Sequence, residues 1–96
     1  MRKECNLEQL VKAIIAIENE EECREFLSDI CTYQELEKLV QRLEAAQLLL
    51  EGKTYEQVIQ ETNISSTTLS RVSRCMKYGN NGYKTILNKI NNKKED

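Results

Sequence analysis

Ninety-six residues with a net charge of −2 make one small domain, 1–96, with room for only a thin core. The chain has no histidine and three glycines. It therefore lacks the commonest general base, a Ser-His triad and a Gly-rich phosphate loop, and it does not read as an enzyme. Its four cysteines, at 5, 23, 31 and 75, form no CxxC pair. Without histidine, a mixed Cys/His zinc site is excluded, and the wide spacing argues against Cys₄. Reduced, half-buried thiols are expected, with no metal and no cofactor. No apolar run reaches the roughly 18 residues of a membrane span. The first apolar stretch carries Glu8 and Lys12 and ends in acid at 18–22, unlike a signal peptide. A soluble, cytoplasmic protein is the expectation.

Proline is absent and apolar residues recur at helical spacing throughout, so the fold class is all-α. The first helix is predicted over about 6–17, with Leu7, Leu10, Val11 and Ile14 on one face. Ala13, Ile15, Ala16 and Ile17 widen that stripe beyond what a small monomer usually covers. Asn19 caps a second helix whose first turn holds three glutamates, where the helix dipole favours anions. Its stripe is Cys23, Phe26, Leu27 and Ile30. Thr32 and Glu35 form a capping box that opens the longest helix, to about Glu51. The apolar stripe there is Leu36, Leu39, Val40, Leu43, Ala46 and Leu50, and Gly52 ends it.

Thr54 opens the next helix with Gln57 as capping partner, and Tyr55, Val58 and Ile59 lie on it. A break at 62–64 follows, then Ser65 caps a helix over 66–78 that buries Leu69, Val72 and Met76. The turn residues 79–82 precede a last helix over about 83–91 with Ile86, Leu87 and Ile90. Residues 91–96 read as a frayed polar tail.

The small net charge conceals a split. Residues 1–52 hold six Lys/Arg against twelve Asp/Glu, a net of −6, and residues 53–96 hold eight against four, a net of +4. Such asymmetry is a hint of nucleic-acid contact, although solvated faces of opposite sign would look the same. The basic half contains TYEQVIQETNISSTTLSRVSRCM at 54–76. A short helix, a tight turn and a second helix with a small, polar, basic outer face make a helix-turn-helix, about 54–78. Asn63 occupies the turn position that wants a left-handed conformation, which Asn tolerates better than most. Opposite Leu69, Val72 and Met76 lie Ser66, Thr67, Ser70, Arg71, Arg74 and Lys77. Small hydroxyls allow close approach to base edges, and the cations reach guanine or phosphate. Thr54, at an exposed helix start, offers backbone N–H groups to a phosphate.

With these residues in place, the stretch 31–77 resembles the Trp repressor family. The whole chain is similar to the TrpR-like YerC/YecD branch of that family. The resemblance rests on Arg42, LLLEGKTYEQVI (48–59) and ISSTTLSRVSRCMKYGNNGY (64–83). It implies a six-helix subunit in an intertwined homodimer that docks paired recognition helices on operator DNA. It also implies a ligand site. Two arginines and a threonine grip tryptophan in the repressor, and Arg42, Arg71 and Thr32 match them. The glycine beside the indole is replaced by Val72, and a nearby serine by Cys75. A β-branched side chain at 72 fills the space an indole needs. The chain is therefore expected to act without tryptophan as corepressor, a different small-molecule ligand staying open.

Two readings from different classes follow. The first is a transcriptional regulator that binds double-stranded DNA as a homodimer, with no membrane partner. The second is a helical protein-interaction module whose helix-turn-helix is only scaffold. Three cations and three hydroxyls on the outer face of 66–77 favour DNA. A protein-docking face would show Leu, Tyr or Met there.

Overall fold

The computed structural model describes residues 6–94, so Cys5 and the last two residues of the expected tail lie outside the described residues. Among the described residues there are six α-helices and no strand, as the all-α expectation requires. They are α1 (Leu7–Ile15), α2 (Glu20–Ile30), α3 (Tyr33–Leu50), α4 (Tyr55–Thr62), α5 (Ser66–Tyr78) and α6 (Gly82–Lys94). None is long and apolar enough to cross a membrane.

Local chemistry sets the boundaries. Asn6 Oδ1 accepts from the Gln9 amide at 3.1 Å, and Asn19 Oδ1 accepts from the Glu22 amide at 2.9 Å. At α3 the capping box is complete: the Glu35 amide donates to Thr32 Oγ1 at 3.0 Å, and the Thr32 amide donates to Glu35 Oε1 at 2.8 Å. Gly52, at φ +90°, ends α3. The Lys53 amide reaches the Leu48 carbonyl at 3.1 Å and the Gly52 amide the Leu49 carbonyl at 3.0 Å, the paired bonds of a Schellman stop. The first helix ends sooner than expected. Its last turn closes through Ala16 N to Lys12 O at 3.0 Å and Ile17 N to Ile14 O at 3.2 Å, the tighter pattern of a helix end.

The chain gathers into two compact units, one ending at Leu36 and one beginning at Glu37. In the first, neither α1 nor α2 buries a residue. Leu7, Leu10, Val11, Ile14 and Ile15 are all exposed, Ile15 by 77%. Cys23 and Phe26 are half-buried on α2. In the second unit, Ala45, Ala46, Val58, Ile64, Leu69, Val72, Met76 and Leu87 form the core. Leu48, Leu49, Ile59 and Tyr83 pack against it.

One expectation is refined here and one is corrected. Of the predicted α3 stripe only Ala46 is buried; Leu39, Val40, Leu43 and Leu50 are exposed. The inward face is instead Ala45 and Ala46, with Leu48 and Leu49 beside them. Small residues let α3 sit close to the helix-turn-helix, and the larger apolar residues are left outside. The correction is at the C-terminus. Residues 91–94 are helical rather than frayed. Asn91 Nδ2 donates to Gln47 Oε1 at 3.2 Å and ties the end of α6 to α3.

Candidate nucleic-acid interface

The two helices of the 54–78 motif are held by a turn that uses most of its polar groups. Asn63 adopts φ 63° and ψ 16°, the left-handed conformation expected of it, and its amide donates to the Ile59 carbonyl at 2.8 Å. Thr62 Oγ1 donates to the Val58 carbonyl at 2.8 Å and accepts from the Ile64 amide at 3.2 Å. Gln41 Nε2, on α3, donates to the Thr62 carbonyl at 3.2 Å and anchors the turn from outside the motif. Beneath it Val58, Ile64, Leu69 and Val72 are almost wholly removed from solvent. A helix packed this way holds the side chains of its outer surface in defined positions.

The outer surface of α5 carries the predicted residues together. Ser66, Thr67, Ser70, Arg71, Arg74 and Lys77 are all exposed, opposite the buried Leu69, Val72, Ser73 and Met76. Among the described residues the one ion pair is Arg24–Glu20 on α2, so Arg71, Arg74 and Lys77 have no carboxylate partner there. Thr67, Ser70, Arg71, Arg74, Cys75, Tyr78 and Gly79 line a shallow concavity of about 430 Å³. The chain leaves α5 at Gly79, whose amide donates to the Cys75 carbonyl at 2.8 Å. A Cβ at Gly79 would collide with that carbonyl oxygen.

Thr54 opens α4 with the capping partner expected of it. Its amide donates to Gln57 Oε1 at 2.9 Å and its hydroxyl accepts from the Gln57 amide at 3.2 Å. Both groups serve the α4 capping box, so any anion there meets the following amides of the first turn. Arg42 and Arg71, which the resemblance put around one ligand, line different concavities. Arg42 shares a cleft with Lys38, Gln41, Asn63, Ser65 and Thr68. Thr32 belongs to the first compact unit. Val72 is only 1% exposed and lies within the core.

Similarity to known proteins decides the family. The family of the Trp repressor protein matches residues 5–91. The chain belongs to the Trp repressor family. It is 44% identical over 84 residues to YerC of Bacillus subtilis, a protein of uncharacterised function, covering 88% of this chain and 81% of YerC. A crystal structure from Staphylococcus aureus, provisionally described as a Trp repressor, superposes with a TM-score of 0.84 at 42% identity, over 88% of this chain and 85% of that one. A TrpR-like protein from Eubacterium eligens matches with a TM-score of 0.82 at 38% identity, over 88% and 87% of the two chains. The likeness places this chain in the TrpR-like YerC branch of the Trp repressor family.

Two residues of this TrpR-like surface escape a motif reading. Tyr78 is 82% exposed beside Arg74, where a helical pattern marks it only as the end of α5. Lys38 lies one turn before Arg42, and the two like charges at i, i+4 were the available signal.

Proposed function

We propose that the chain is a transcriptional regulator of the Trp repressor type, a single TrpR-like domain that binds operator DNA as a homodimer through α4 and α5. The carrying observation is the outer face of α5: three cations and three hydroxyls, all exposed, set opposite a fully packed core. Dimerisation is supported by the uncovered apolar faces of α1, α2 and α3. Apolar helix faces left open in this way normally mark an interface. Ser66, Thr67 and Ser70 meet base edges, and Arg74 and Lys77, later on the helix, meet the backbone. Arg71 stands between the two groups. Tryptophan is not the corepressor, because Val72 fills the core and Arg42 and Arg71 face separate clefts. The chain regulates and does not catalyse, which accords with its family.

A salt titration on one selected duplex tests this. Arg74→Ala is expected to weaken binding to all sequences and to lower the salt slope by about 0.9, the share of one phosphate that the arginine neutralises. A bulky replacement at Thr67 or Ser70 is expected to change sequence preference instead. If wild type and Arg74→Ala share one affinity and one slope, α5 is not the DNA surface. The protein-interaction module then becomes the better reading.

A further inference from the structure

Two of the three glycines are required by the backbone, and the third is not. Gly52 is left-handed, and Gly79 leaves no room for a Cβ. Gly82, the first residue of α6, is needed for neither reason. It is not left-handed, and a Cβ there would meet no atom within 4 Å. Alanine would suit α6 better, since glycine gives up more backbone freedom on becoming helical. Gly82 follows Asn81, and theirs is the one Asn-Gly pair in the sequence.

That pair sets two mutually reactive groups side by side. The backbone nitrogen of the residue after an asparagine can attack the side-chain carbonyl carbon and close a cyclic imide. A side chain on the attacking residue hinders the approach, and glycine has none. In a folded chain the reaction is held back where the asparagine side chain or the following N–H is already engaged. Asn6 and Asn19 hold helix amides through Oδ1, and Asn91 holds Gln47 through Nδ2. The Asn81 side chain makes no such bond among the described residues, and Asn81 and Gly82 are both exposed. The Gly82 N–H opens α6, where the first amides lack an intrahelical acceptor. Asn63 is the natural comparison, because it is also exposed and left-handed, at φ 63° against 67° for Asn81. It precedes the branched Ile64, however, whose amide donates to Thr62 Oγ1 at 3.2 Å.

We propose that Asn81–Gly82 is a self-modification site, at which Asn81 converts spontaneously to aspartate and isoaspartate. The Gly82 nitrogen gives its proton to solvent base and bonds to Asn81 Cγ. The Cγ–Nδ2 bond breaks, and Nδ2 leaves as ammonia. Water then opens the imide. Addition at Cγ leaves aspartate on the normal backbone; addition at the main-chain carbonyl leaves isoaspartate, with the chain running through Cβ and Cγ. Each product carries a negative charge that asparagine lacks. Aspartate suits the place: the Asn81 carbonyl accepts from the Thr85 amide at 2.9 Å, so residue 81 caps α6, and the helix dipole favours a carboxylate there. The charge arises three residues beyond Tyr78, the end of α5, and lowers the +4 of residues 53–96 by one. The modified chain therefore holds duplex less tightly. That consequence rests on the DNA-binding reading; the modification does not.

The test incubates the full chain at neutral and mildly alkaline pH and follows each asparagine by peptide mass mapping, with isoaspartate separated from aspartate. Asn81 is expected to convert about tenfold faster than Asn63, and faster as pH rises, because glycine leaves the attacking nitrogen unhindered. Gly82→Ala is expected to slow Asn81 to the rate of Asn63 without lowering the melting temperature. Asn81→Asp fixes the charge. It is expected to bind a selected duplex about threefold more weakly than wild type at low salt, the difference closing as salt is added. If Asn81 converts but Asn81→Asp binds duplex as wild type does, the effect on DNA is overturned and the modification stands. Failure of wild type to bind any duplex overturns the DNA reading, and the mass measurement alone then decides the site. If Asn81 lasts as long as Asn63 and Gly82→Ala changes nothing, the proposal is overturned.

Discussion

The first two helices and the helix-turn-helix pair are built from the same kind of sequence, and their side chains fare in opposite ways. α1 and α2 are 9 and 11 residues long, amphipathic and well capped, and bury nothing. α4 and α5, of 8 and 13 residues, bury five side chains between them. Local signals therefore make a helix in either place, but they do not decide where its apolar face goes. In α4 and α5 the face meets α3 and α6 of the same chain. In α1 the stripe Leu7, Leu10, Val11 and Ile14 faces solvent. Burying such side chains is worth roughly 1.5–3 kcal/mol each. The single chain leaves that stabilisation unused, and the proposed homodimer would recover it.

The strongest way to break the comparison is at α1. Ile14→Asp is expected to abolish assembly, leaving a monomer that melts with little cooperativity. Wild type is expected to sediment as a dimer at micromolar concentration. A folded wild-type monomer under those conditions would mean that α1 does not require a partner, and the contrast would lose its cause.

A matched pair of truncations sharpens it. Leu69→Ala removes a fully buried side chain and is expected to cost about 2–5 kcal/mol. Leu10→Ala on α1 is expected to cost less when the protein is dilute and more when it is concentrated, because its burial depends on association. Urea melts at two concentrations a hundredfold apart check this. Equal concentration dependence in both variants would place Leu10 and Leu69 in the same kind of environment.

The helix ends were legible in the sequence because capping is a short-range bargain between a few neighbouring groups. Thr32 with Glu35, Thr54 with Gln57, Ser65, Gly52 and Asn63 all do what their chemistry and spacing announced. The α3 stripe was legible only as an apolar face, because periodicity cannot say which apolar residues are small enough to allow contact within the chain. Ala45 and Ala46 are the contact, and Leu39, Val40 and Leu43 are not. The end of α6 was hidden for a related reason: Asn91 is held by Gln47, 44 residues away. The outer face of α5 was readable because it is the complement of a core stripe on one helix. The Arg42 cleft was not, since its walls come from three separate stretches of chain.

The smallest expected effect lies in the turn itself, where fold and site share one residue. Asn63 is left-handed, at φ 63°. Alanine there loses the tolerance that a short polar side chain has for this conformation and is expected to cost about 1 kcal/mol. Glycine adopts it freely, so Asn63→Gly is expected to hold stability within a few tenths of a kcal/mol of wild type, offset only by the added freedom of the unfolded chain. Both variants remove the Asn63 side-chain amide and keep the backbone N–H that donates to the Ile59 carbonyl. The two variants should therefore separate in a thermal melt: Asn63→Gly stays close to wild type, while Asn63→Ala melts lower. If Asn63→Ala and Asn63→Gly melt together, the left-handed conformation is not what favours Asn at this turn, and its side chain must contribute in another way.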